Sequence, residues 1–192
     1  MEDKLANAAA IATVVGLVVA LIALGVAYKE YSDAKENSRV TATLGYIARY
    51  KSDPLLSMTQ RFNSLLDQPE SQQLIANPGD AANWARKTIS LTKKHNMVVV
   101  IRTITDFFDE LYICVARSIC DIDLTLRLLA VDLQTFYVWN ADLLDELNKG
   151  FYGPTLGCGL HALYQAVLPQ LGAEGAKKPV PAPRLDLKAC ET

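Results

Sequence analysis

Acidic side chains are the residues of this chain best placed to do chemistry. Asp106, Asp109 and Glu110 stand three and four positions apart, which puts them on one face if the segment is helical. Asp121 and Asp123 follow, and then Asp142, Asp145 and Glu146. Carboxylates alone can serve as acid and base when burial separates their pKa values. Grouped carboxylates can also hold metals, but di-metal sites in helical bundles add Glu-x-x-His pairs, and neither His95 nor His161 has Glu three residues before it. A solvated acidic face with helix caps is the expected reading. Cys158-x-x-His161 has the spacing of half a zinc site, yet no second pair completes the four ligands. Gly157 and Gly159 around it are expected to let two helices approach closely, with Cys158 acting as a small apolar residue. Cys114 and Cys120 lie six apart, about 240° around a continuous helix, and so are expected to face different directions. There is no Cys-x-x-Cys pair, Gly-x-Ser-x-Gly elbow, His-Glu-x-x-His, phosphate-cradling loop or dinucleotide fingerprint. The sequence therefore assigns no catalytic, cofactor-binding or metal-ligating residue, and no cofactor.

The elements that would carry these residues are helical throughout. Met97, Ile101, Ile104, Phe108, Leu111, Val115 and Ile119 recur in steps of three or four, the stripe of a central helix, with a break expected at His95–Asn96. A turn through Cys120–Asp121 leads to an apolar helix over Leu124 to Leu133 and then to Phe136, Tyr137 and Trp139. A further helix is expected from about Asn140 to Lys149, stopped by Gly150, and a last one from Thr155 to Leu168, before Pro169. Upstream, Asp53–Pro54 reads as an N-cap followed by Pro at the first helical position, and that helix should stop near Gln68–Pro69. A short helix over Glu70 to Ala76 precedes the turn Asn77–Pro78–Gly79, after which Asp80 is a suitable cap.

The first part of the chain is of a different kind. Ala8 to Ala27 are twenty uncharged residues, a length that matches the hydrocarbon core of a bilayer, with Tyr28 and Tyr31 at the expected aromatic belt. An uncleaved single-pass anchor fits better than a secretory signal, because two acids precede the run and the run is too long. Lys29, Lys35 and Arg39 after the run outnumber Lys4 before it, which predicts a C-terminal domain in the cytoplasm. Cysteines without tight paired spacing agree with a reducing compartment. Ala8, Ala12, Gly16 and Ala20 form a small-residue ladder that would allow two spans to pair.

The expected organisation is all-α: an anchor over 1–28, a helical stalk over 29–52, a helical bundle over 53–171 and a flexible Pro/Ala/Lys tail over 172–192. Glu36–Asn37–Ser38 is a candidate interruption of the stalk. The net charge of −2 without a basic stripe argues against a nucleic-acid partner.

The region from about Tyr46 to Leu147 resembles the DUF4760 type, a family defined only as a domain of unknown function. The resemblance lies in the order of parts: a leading membrane segment, a Ser-Asp-Pro helix start, and then ITDFFDELYICVARSICDIDLTLRLL. It implies a membrane-tethered helical domain and carries no activity or catalytic residues with it.

The function expected from sequence is binding at a membrane, as scaffold, adaptor or accessory subunit, with the bilayer and a protein partner or second copy as partners. Tyr137, Trp139, Phe151 and Tyr152 are the candidate contact aromatics, with a place in the core the favoured alternative for rings in such an apolar context. The alternative is a membrane-tethered enzyme, or a small-molecule or lipid sensor, with Asp106, Asp109 or Glu110 lining a pocket between helices.

Overall fold

The computed structural model describes the backbone of residues 2–149 and 155–172, and the side chains of 20–149 and 155–169. Among the described residues there are seven helices and no strand. They are α1 (Glu2–Tyr50), α2 (Leu55–Leu66), α3 (Pro69–Ala76), α4 (Ala81–Lys94), α5 (Val98–Ala116), α6 (Ile122–Lys149) and α7 (Cys158–Gly172). The chain divides into two units, Met1–Thr41 and Ala42–Thr192.

The first unit consists of the leading part of α1, which is unbroken through Glu36–Asn37–Ser38. The expected interruption is absent. Thr41 Oγ1 donates to the carbonyl of Asn37 one turn back, so this polar residue bonds along the helix instead of ending it. Leu21, Ile22, Leu24 and Val26 are all exposed. Among the described residues no helix is long and apolar enough to cross a membrane, and the side chains of 8–19, most of the expected span, lie outside them.

The second unit is organised on α5. Its stripe of Ile101, Ile104, Phe107, Phe108 and Leu111 is sealed from solvent. Helix α7 packs on α5 and α6, α2 on α5, α4 on α6, and α3 on α4. The last turns of α1 join this core through Tyr50, whose ring stacks on Phe107 at 5.2 Å and tilts against Phe108 at 5.8 Å. Such ring pairs add about 0.5–1.5 kcal/mol beyond area burial.

Several boundaries fall where the residues predict. Asn83 N–H donates to Asp80 Oδ1 at 2.7 Å, so Asp80 caps α4. The break after Lys94 is made by Asn96 at φ +54, a left-handed position that Asn tolerates. Others differ. Asp53 does not cap α2, which starts at Leu55 behind Pro54 with no side-chain cap bond. Helix α5 ends at Ala116, so Ile119 leaves the stripe and is 53% exposed. The two helices expected on either side of Phe136 are one helix, α6, because Leu126, Leu129, Leu133, Phe136, Tyr137 and Leu144 continue a single buried face. Helix α7 continues through Pro169 to Gly172, so the proline sits in its last turn. Gly150 and the tail over 173–192 lie outside the described residues.

Cys114 and Cys120 form a disulfide, with Cα atoms 5.2 Å apart, against the expectation that they face apart. The 240° estimate assumed a continuous helix. Instead Ser118 at φ +56 turns the chain left-handed, and its N–H bonds the carbonyl of Val115 while Ile119 N–H bonds that of Cys114. This is the Schellman pattern. It folds Cys120 back over Cys114, and Asp121 N–H then donates to Thr43 Oγ1 at 2.8 Å.

Candidate functional site

The carboxylates grouped by sequence are separated by their surroundings. Asp109 is the partly buried one. Its Oδ2 accepts from Gly157 N–H at 2.8 Å and its Oδ1 from Leu160 N–H at 2.9 Å. These are orphan donors at the start of α7, so a side chain of α5 caps a different helix. Burial pushes the carboxyl up to about 6, although bonds from Leu160, Gly157 and Gly159 pull the other way. With both oxygens engaged, Asp109 has a structural task. Gly159 makes it feasible, since a Cβ there would lie 2.8 Å from Asp109 Cα and 2.7 Å from Tyr112 Cβ. The close approach expected of Gly157 and Gly159 is thus present, with Gly157 at φ +78.

Asp106 and Glu110 are exposed and border a cleft of about 250 Å³ with Arg49 and Asp53. Glu110 is ion-paired to Arg49, and Asp106 lies 3.9 Å from Arg102. Partial burial raises the Asp106 carboxyl, Arg102 opposes this, and Glu110 adds to it. Two of the three acids, Asp106 and Glu110, thus border a cleft, as the tethered-enzyme reading expects of at least one of them, while Asp109 is tied to the start of α7.

His161 and Tyr137 form a buried polar pair, with Tyr137 Oη 2.5 Å from His161 Nδ1. Tyr164 stacks on Tyr137 with ring centroids at 4.3 Å. Burial raises the Tyr137 phenol and lowers the His161 imidazole. None of the described cysteines is a free thiol, so Cys158 and His161 do not offer a ligand pair. Among the described residues no group of three His, Cys, Asp or Glu could hold a metal ion.

Of the candidate contact aromatics, Tyr137 is 0% and Trp139 3% exposed, so both belong to the core and not to an outer contact surface. The reason is the continuity of α6, which carries them inward on the face that α4 and α7 cover. Phe151 and Tyr152 lie outside the described residues. On the proposed association face Ala20 is exposed, and the side chains of Ala8, Ala12 and Gly16 are outside the described residues.

Trp139 nevertheless borders an apolar recess of the bundle. This cleft of about 340 Å³ lies where the turn after α3 and the start of α4 meet α6. Leu66, Ile75, Pro78 and Val138 form its walls, with Trp84 and Trp139 beside them, and Gln134 and Thr135 supply polar groups. The two indoles meet edge to face, with centroids 5.5 Å apart and planes at 78°. Neither indole N–H has a hydrogen-bond acceptor, and both nitrogens are closed off from water. Buried tryptophans normally find a partner for this donor. No local pattern marks Trp84, whose signal is compositional, since the chain has only two tryptophans.

No protein-family model, curated protein or solved structure matches the chain, so the likeness to the DUF4760 type rests on the quoted pattern alone.

Proposed function

We propose that this is a membrane-anchored helical protein that acts by binding, with the apolar first half of α1 in the bilayer. One observation carries the reading. Leu21, Ile22, Leu24 and Val26 are 60%, 62%, 67% and 53% exposed on an unbroken helix. At about 100° per residue Leu21 and Leu24 share one side and Ile22 and Val26 another, an arc of about 200°, so a single partner helix could cover only a stripe of them. Lipid covers the whole arc. The run of uncharged residues from Ala8 to Ala27 has a length that suits a bilayer.

The side on which the bundle works follows from weighing two signals. Lys29, Lys35 and Arg39 against Lys4 favour the cytoplasm. The Cys114–Cys120 disulfide and the lack of a free thiol among the described cysteines favour an oxidising compartment, where such bonds persist. The charge excess is only two residues, whereas a disulfide needs oxidising surroundings to persist. The bundle then faces the oxidising side.

Membrane fractionation of the full chain tests the anchor: it should stay in the pellet through an alkaline carbonate wash, and release into the supernatant overturns the reading. Alkylation in denaturant, with and without reductant, tests the side. Label incorporation without reductant returns the bundle to the cytoplasm.

A further inference from the structure

We infer that the cleft between the α3–α4 turn and α6 is a binding site for a neutral, planar, largely apolar molecule carrying a carbonyl acceptor, such as a bicyclic ketone, lactone or quinone. The cleft belongs wholly to the bundle, so its occupancy does not depend on where the first half of α1 lies.

Three features select this class. The volume of about 340 Å³ falls at the small end of ligand pockets, which suits a molecule of one or two fused rings. Every residue bordering the cleft is uncharged, so a charged guest would lose its water without gaining a counter-charge. Trp84 and Trp139 border the cleft and are 6% and 3% exposed, and on pivoting their indoles can stack on another ring.

The acceptor requirement comes from the two indole donors. An edge-to-face pair can point at most one N–H at its neighbour's ring, so at least one donor in this pair stays unserved. A carbonyl oxygen on a guest seated against the rings supplies what the protein does not. Neither nitrogen is open to water, so engagement requires the rings to pivot. Gln134, half-buried on α6 one turn before Val138, can donate an amide N–H to the same carbonyl.

The test uses 1-indanone and indane, which share a ring skeleton and differ in the carbonyl. In a nitrogen-15-labelled full chain the two tryptophans give two indole N–H resonances, assigned through Trp84→Phe and Trp139→Phe. Saturable shifts of these resonances by 1-indanone, with indane about tenfold weaker, are expected from one or two added hydrogen bonds. Thr135→Phe, at an exposed position on the rim, should fill the cleft and abolish the shifts while leaving the fold intact. Equal binding of indane removes the acceptor argument. Unmoved resonances, or shifts that persist in Thr135→Phe, overturn the site. None of these outcomes bears on the anchor, which fractionation reads separately.

Discussion

Replacing Gly159 by alanine is the sharpest test of how the bundle is held together. In an isolated helix the change would help, because alanine is favoured over glycine by about 1 kcal/mol. Here the new methyl would meet Tyr112 Cβ at 2.7 Å and Asp109 Cα at 2.8 Å, atoms fixed to the backbone of α5 that cannot rotate away. Ordinary carbon contacts need about 3.5–4.0 Å, so α7 must retreat from α5 by close to an ångström. Overpacking of this kind costs about 1–3 kcal/mol. The retreat also stretches the bonds from Gly157 and Leu160 to Asp109, and hydrogen bonds to a charged group are worth about 1.5–3 kcal/mol each. Partial loss of these, set against the propensity gain, leaves a net destabilisation of about 2–4 kcal/mol. For a unit of this size that is a fall in Tm on the order of 5–15 °C. Gly45 in α1 provides the control of opposite sign. Nothing lies within 4 Å of a Cβ built there, so Gly45→Ala should stabilise by about 0.5–1 kcal/mol. Thermal unfolding of the full chain in mild detergent, followed by near-ultraviolet circular dichroism, measures both. Gly159→Ala unfolding at or above the wild-type temperature would show that α5 and α7 do not approach this closely.

Two further predictions concern protons and redox state. Asp109 titrates at about 6 in the fold against about 3.9 in the unfolded chain, so the fold favours its neutral form. Its contribution is fully present below about pH 3.9 and is lost as pH rises through about 6, a loss on the order of 3 kcal/mol. His161, lowered by burial, runs the other way: its contribution is present above its unfolded value of about 6.5 and lost as pH falls. Asp109→Asn should therefore remove one component of the slope, so that the stability difference between variant and wild type changes between pH 4 and pH 7 in urea titrations. A difference that stays constant across that range contradicts the assignment. The Cys114–Cys120 bond closes a loop of seven residues, for which loop entropy gives about 2 kcal/mol. Cys114→Ser with Cys120→Ser, or reduction of the wild type, should lower the unfolding midpoint accordingly; no change would mean that the Schellman turn alone holds the α5–α6 corner.

Short-range chemistry was the legible part of this chain. Asp80 as a cap, the break at Asn96, the buried face of α5 and the small residues beside Cys158 all follow from neighbours within a turn or two. The end of α5 was not legible, because the residue that takes the left-handed position is Ser118 and not glycine. Once that signal was missed, Ile119 stayed in the apolar stripe and Cys120 stayed on the wrong side of the helix. The cleft at Trp84 and Trp139 was hidden for a different reason: it depends on α4 lying against α6, a long-range pairing that no local pattern encodes.

The three acids of α5 show how far a helical wheel can be trusted. Asp106, Asp109 and Glu110 do share one side of the helix, as their spacing requires. A face, however, is wider than the stripe that a neighbouring helix can cover. Helix α7 lies over Asp109 and leaves Asp106 and Glu110 in water, so adjacent positions with the same chemistry receive opposite environments. What selects Asp109 is the arrival of an uncapped helix start, with Gly157, Cys158 and Gly159 small enough to bring its N–H groups within reach. The same donors and the helix dipole offset part of the cost of burying a carboxylate there. An acid in an apolar helix therefore reads as functional or structural only once the helix end that it faces is known.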